Sequence, residues 1–131
     1  MEKPRILIVD DEIEARETLG KYFNRHMECD VFEAQDGRKA LEILRKENID
    51  LLILDIKMPG ISGVDVLKQA KTISLKTQAI IVSAWDSREV ASEAIKEGAV
   101  DYIIKPSTIS VIFERVSVIL SKVNKFFPKS R

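Results

Sequence analysis

"LLILDIKMPG", residues 51–60, ends a run of four aliphatic residues on one carboxylate, Asp55, and then passes through a lysine into Met58-Pro59-Gly60. A short apolar run bounded by polar and turn residues has the form of a strand buried on both faces. Similar runs occupy residues 6–9, 79–82 and 100–104, while residues 29–34 are more mixed and suit a strand nearer an edge. Between the runs the hydrophobic period lengthens to that of a helix. Ala15, Leu19, Tyr22 and Phe23 form one stripe; Ala40, Leu41 and Leu44 form a second behind Asp36, an expected N-cap. Val64, Leu67 and Ala70 follow the capping pattern Ser62-x-x-Asp65. Val90, Ala91, Ala94 and Ile95 begin at Asp86-x-x-Glu89 and stop at Gly98. The last stripe runs from Ile109 to Phe127.

Five strands alternating with five helices predict an α/β fold, (βα)5, with parallel strands and right-handed crossovers. The length of 131 residues fits one domain, taken here as residues 1–127 with a tail at 128–131. Equal numbers of basic and acidic residues, 21 each, argue against a broad nucleic-acid or anionic-lipid footprint. One cysteine, Cys29, excludes an internal disulfide and reads as a buried small hydrophobe. No apolar stretch is long enough to span a bilayer, and "MEKPRILIVDDE" is too acidic for a signal peptide. A soluble cytoplasmic protein is expected.

In an open parallel sheet, ligands bind beyond the carboxyl ends of the strands. Those ends carry Asp10-Asp11, Asp55, Ser83 and Lys105-Pro106. Three acids meeting one base would repel one another unless a cation enters, and oxygen ligands of this kind suit Mg²⁺. Asp55 could then attack phosphorus and carry an aspartyl phosphate, with Lys105 neutralising the transferred oxygens. Asp55 as a mere strand end is the bland alternative, but it accounts for neither the converging acids nor Lys105.

At this point "ILIVDDE", "LLILDIKMPGISG", "IIVSAW" and "GAVDYIIKPS", in this order, resemble the receiver domain of two-component response regulators. The resemblance implies a flavodoxin-like doubly wound sheet in the order 2-1-3-4-5. It implies that Asp55 accepts a phosphoryl group from a phosphohistidine on a sensor histidine kinase, as in a phosphorelay. Asp10, Asp11 and Asp55, with the backbone carbonyl of Lys57, would hold Mg²⁺. Ser83 would hydrogen-bond the phosphoryl group, Lys105 would pair with it, and the Lys105-Pro106 bond would be cis. Tyr102 stands at the aromatic switch position. Such a domain is a signalling switch that catalyses only its own phosphotransfer and autodephosphorylation. Its partners would be the kinase and an output domain or target, reached through the fourth helix, fifth strand and fifth helix, a surface that also suits a homodimer. Direct nucleic-acid and membrane binding are not implied.

Other residues carry open readings. Trp85 either shields an acyl phosphate or offers its ring to a partner. His26 reads as a solvent-facing residue, and a helix from Ile109 to Phe127 would measure about 28 Å, overhanging the sheet and exposing Val123, Phe126 and Phe127. A phosphatase that uses an aspartyl phosphate would need an acid where Lys57 stands. A flavodoxin-like cofactor binder would need phosphate donors where Asp10-Asp11 stand. An interaction module that is never phosphorylated is the rival of another class.

Overall fold

The computed structural model describes residues 2–56 and 62–129. In chain order the elements are β1 (Arg5–Val9), α1 (Ile13–His26), β2 (Asp30–Ala34), α2 (Gly37–Lys46), β3 (Leu51–Leu54), α3 (Gly63–Ile73), β4 (Gln78–Ser83), α4 (Arg88–Lys96), β5 (Ala99–Ile104) and α5 (Ile109–Lys122). The strands pair in parallel in the order β2-β1-β3-β4-β5. The expected α/β architecture is therefore the observed one.

Strand alternation divides the core into two layers. Leu7, Val9, Leu52, Leu54 and Ile81 face α2 and α3, whereas Ile6, Ile8, Leu51, Ile53, Ile80 and Val82 face α1 and α5. β1, β3 and β4 are covered on both sides, which accounts for their unbroken aliphatic runs. β2 is one edge, as its mixed composition suggested. β5 is the other, and it departs from the expected two-sided burial: Val100 and Ile104 are exposed. The nine-residue α4 beside it buries only Ala94 fully, so Ile95, expected in the core stripe, also faces solvent.

The helix starts follow local capping chemistry. Asp36 accepts from Lys39 N at 2.9 Å, and Ser62 from Asp65 N at 3.2 Å. α4 is capped by Ser87, which accepts from Val90 N, one residue later than the Asp86 start read from sequence. Both residue types cap well, and Ser87 has the extended backbone that a cap requires. Gly98 ends that helix at φ 110°, where a side chain would also strike Lys71.

The C-terminal helix corrects the sequence reading. α5 stops at Lys122 because Asn124 takes the left-handed conformation at φ 59°. Lys125 N donates to Leu120 O at 2.8 Å and Asn124 N to Ser121 O at 3.1 Å, the two bonds of a Schellman cap. The chain then folds back instead of overhanging the sheet. Phe126 packs edge-on against Phe113 at 6.0 Å, Glu28 N donates to Phe127 O at 2.8 Å, and Lys129 N to His26 O at 3.0 Å. Val123 is exposed as expected, but Phe126 and Phe127 are half-buried. His26 is half-buried too, its ring 4.2 Å from Tyr22 and 5.9 Å from Phe113, because the returning segment closes over that corner. Cys29 is buried as expected; burial pushes its thiol up to about 11 against the opposing pull of Lys129.

A β-branched residue forced into the left-handed cap loses about 1–2 kcal/mol. Asn124→Val should therefore lower stability by that amount in urea unfolding, whereas Asn124→Gly should leave it nearly unchanged. Equal midpoints for Asn124→Val and the parent chain would refute the cap.

Candidate functional site

The residues singled out from the strand ends come together at one edge of the sheet. Hydrogen bonding continues one residue beyond three strands: Asp10 N donates to Ala34 O at 3.2 Å, Asp55 N to Val9 O at 3.1 Å, and Lys105 N to Ser83 O at 2.8 Å. Each side chain thus starts from backbone that is still part of the ladder. Asp10, Asp55 and Ser83 are buried, whereas Asp11 is exposed. One carboxylate oxygen from each of Asp10, Asp11 and Asp55 lies within 4.8 Å of the others.

Lys105 reaches into this group. Its ammonium donates to Asp10 Oδ2 at 2.9 Å and to Asp55 Oδ2 at 3.2 Å. Burial disfavours the ammonium, but Asp10 and Asp55 together outweigh that penalty and raise its pKa above the usual 10.5. The other Asp10 oxygen accepts from Glu12 N at 3.0 Å, so both oxygens of that carboxylate are fixed. The Lys105-Pro106 peptide is cis, as the resemblance implied.

Ser83, Trp85 and Tyr102 form a second chain of contacts. Trp85 N donates to Ser83 Oγ at 3.3 Å, and Tyr102 Oη donates to Trp85 O at 2.6 Å. Burial, opposed by Ser83 and reinforced by Asp55 and Asp86, raises the Tyr102 pKa. Trp85 is 45% exposed and borders a small groove with Ile56, Ser62 and Val90, on the α3–α4 side. Its backbone, which no sequence pattern singles out, bonds to both Ser83 and Tyr102.

Two further residues escaped the sequence reading. Arg16 donates to Asp10 O at 2.8 Å and to Glu33 Oε1 at 3.1 Å, fastening α1 to the ends of β1 and β2. An arginine in a first helical turn gives no hint of that from sequence. Gly63 opens α3 against the chain leaving β3, where a Cβ would lie 2.3 Å from Ile56 Cα and 2.9 Å from Asp55 O. Only glycine permits that approach beside Asp55. Lys57, whose carbonyl was expected among the metal ligands, and Met58-Pro59-Gly60 lie outside the described residues.

Hard carboxylate oxygens, a surplus of negative charge and an exposed Asp11 that leaves room for water all fit Mg²⁺, which keeps several waters. Among the described residues, no helix is long and apolar enough to cross a membrane.

The sequence model of the response regulator receiver domain matches residues 6–117. Sporulation initiation phosphotransferase F of Bacillus subtilis is 36% identical over 116 residues, covering 88% of this chain and 93% of that protein. The transcriptional regulatory protein ZraR of Escherichia coli is 39% identical over 101 residues, 77% of this chain but 23% of ZraR. A cyclic di-GMP phosphodiesterase of Thermotoga maritima is 33% identical, with 82% of this chain and 28% of that protein covered. The chain thus spans about a quarter of these two longer relatives. Among solved structures, the receiver domain of Francisella response regulator 1452 superposes with a TM-score of 0.84 at 30% identity, covering 93% of this chain and all of that one. A CheY-like receiver domain protein from Methanospirillum hungatei gives 0.84 at 25% identity, over 95% and 98% of the two chains.

Lys105→Met would leave Asp10 and Asp55 facing each other without their ammonium. Because Lys105 is partly exposed, the cost should be about 1–2 kcal/mol at neutral pH. A raised lysine pKa means that this increment is fully present below about 10.5 and is lost as pH rises through the folded-state value. Urea unfolding of both proteins from pH 7 to 11 should show the gap closing at the alkaline end. A constant gap would refute the assignment.

Proposed function

This chain belongs to the response regulator receiver family, and from that premise we propose that it is a switch phosphorylated on Asp55 by a phosphohistidine of a sensor histidine kinase. The observation that carries the reading is the meeting of Asp10, Asp11 and Asp55 within 4.8 Å beside a Lys105 ammonium shared by two of them. A receiver domain of this kind is a signalling domain. We place it at residues 1–127, with 128–131 as its tail.

In the proposed step an Asp55 carboxylate oxygen forms a P–O bond while the P–N bond of phosphohistidine breaks. The electron pair stays on the imidazole nitrogen, which takes a proton from solvent. Asp55 is held in line by the β3–β1 ladder. Lys105, already charged and in contact with Asp55, exchanges part of that contact for a phosphoryl oxygen. Asp10 and Asp11, with Asp55 and the Lys57 carbonyl, would hold Mg²⁺, which supplies charge neutralisation to the transferred oxygens. Ser83 lies at the end of the neighbouring strand and would donate its hydroxyl proton to the phosphoryl group. That movement would act on Trp85 N and, through Trp85 O, on the Tyr102 hydroxyl.

The readout would be the α4-β5-α5 surface, biased between two existing states. Ile95, Val100, Ile104, Val111 and Val118 expose apolar area there, and Arg115 pairs with Asp101. Such a surface suits an output domain, a target protein or a second copy of the chain. The setting would be the cytoplasm, with no direct contact to nucleic acid or membrane.

Incubation with acetyl phosphate and Mg²⁺ should give one labile phosphoryl adduct by mass spectrometry, abolished by EDTA and by Asp55→Asn. Failure of the parent chain to form it would leave the unphosphorylated interaction module as the better reading. Trp85 borders Ile56, next to the acceptor, so its bulk should slow hydrolysis of the adduct. Trp85→Ala should shorten the phosphoryl lifetime several-fold, a change of about 1 kcal/mol in barrier; equal lifetimes would assign the ring to a partner instead.

A further inference from the structure

Two of the three carboxylates at the edge are fixed through their own side chains, and the third is not. Asp10 is held by Lys105 and by Glu12 N, and Asp55 is held by Lys105. Asp11 is exposed, and among the described residues no hydrogen bond or ion pair holds its carboxylate. One of its oxygens nevertheless lies within 4.8 Å of the other two acids. A side chain with no tether of its own is aimed by its backbone and its rotamer alone.

That backbone is fastened around Asp10. Asp10 N donates to Ala34 O at 3.2 Å, Glu12 N turns back onto Asp10 Oδ1 at 3.0 Å, and Arg16 Nη1 donates to Asp10 O at 2.8 Å. The last bond grips the carbonyl of the peptide that joins Asp10 to Asp11. A peptide unit is planar and turns as one piece, so the tilt of that carbonyl sets where the Asp11 Cα goes. Arg16 is itself aimed. Its Nε donates to Glu33 Oε1 at 3.1 Å, and its side chain is only 11% exposed. The guanidinium donors lie in one rigid plane, so the bond to β2 fixes the direction of the bond to Asp10 O. Glu33 also offsets a positive charge that would otherwise oppose a metal ion nearby.

We infer that Arg16 is a positioning residue for the metal: through the Asp10 carbonyl it keeps the Asp11 carboxylate in reach of Asp10 and Asp55, and so sets the affinity of the edge for Mg²⁺. This rests on the Mg²⁺ part of the proposed function and not on phosphoryl transfer. Its sign separates it from simple electrostatics. Removing a cation beside an acidic edge would, by charge alone, tighten a divalent ion. Removing a positioning contact loosens it.

The test is a Mg²⁺ titration of the full chain at fixed ionic strength, followed through the amide NMR signals of Asp11 and Asp55. Arg16→Met, similar in length and uncharged, should raise the Mg²⁺ Kd at least about fivefold, near the low end of what orienting partners of metal ligands contribute. Arg16→Lys keeps the charge but loses the planar fork, and should raise the Kd at least about twofold. Arg5→Met removes the pair with Glu47 at the opposite end of β1 and should leave the Kd unchanged. A Kd for Arg16→Met at or below that of the parent chain, or an equal rise in Arg5→Met, would overturn the assignment. Should Arg16→Met not fold, an unchanged Kd in Arg16→Lys would do the same. A parent chain with no saturable Mg²⁺ binding would remove the assignment together with the metal reading. The expected Kd changes in a chain that forms no acetyl-phosphate adduct would support Arg16 while removing the phosphorylation reading.

Discussion

The Lys105 ammonium shared by Asp10 and Asp55 is the contact on which the functional edge depends. Two buried carboxylates so close to each other are costly without a cation, and the one that serves them comes from 95 and 50 residues away in sequence. Lys105 reaches them only when β5 is docked on β4, β4 on β3 and β3 on β1. Closing the ion pairs and completing the sheet are therefore a single event. The balance is still not neutral, because Asp11 adds a third carboxylate within the same 4.8 Å group. That surplus makes the edge receptive to a further positive charge, while Lys105 keeps it stable without one.

Position and motion are separated at this edge. The backbones of Asp10, Asp55 and Lys105 are fixed by ladder bonds, and Gly63 presses α3 against the chain just after Asp55. Ser83 is fixed too, but its hydroxyl connects to a loop held by single hydrogen bonds, Trp85 N to Ser83 and Tyr102 to Trp85 O. A hydroxyl has one proton to give and two lone pairs. Ser83 can therefore keep accepting from Trp85 while its proton is directed elsewhere. A net hydrogen bond is worth about 1 kcal/mol, so exchanging one or two of them keeps alternative loop arrangements within a few kcal/mol. Under the proposed function this is the bistable part of the molecule, set beside a part that does not move.

The central strands were legible because burial on both faces leaves an unbroken aliphatic run, and the convergence of the candidate site residues was legible because they terminate those runs. Strand order was not: hydrophobic period fixes which face a residue takes, not which strand lies next to it, and the order 2-1-3-4-5 came from family resemblance. β5 was misjudged because an edge strand can carry aliphatic residues that face solvent, as Val100 and Ile104 do. The end of α5 was missed for a definable reason. The apolar stripe continues to Phe127, but Asn124 occupies a left-handed cap, and asparagine does this less visibly than glycine. With that cap unread, the burial of Phe126 and His26 was unreadable too. Arg16 and the Trp85 backbone act through tertiary neighbours, which leave no trace in local pattern.

The returning segment gives the α1–α5 layer two unlike ends. At the edge opposite the site, Lys125 bonds Asp50 at 2.8 Å, Asp50 also accepts from Arg5 N, Arg5 pairs with Glu47, and Lys129 donates to Asn24 O at 2.6 Å. The aromatic group of Tyr22, His26, Phe113 and Phe126 closes the same corner. At the other edge Ala15, Leu19, Ile109 and Ile112 of the two helices line a groove that also borders Asp10 and Asp55. The layer is thus tied by side chains of the returning segment at one end and stands beside the strand-end ladder of Asp10, Asp55 and Lys105 at the other.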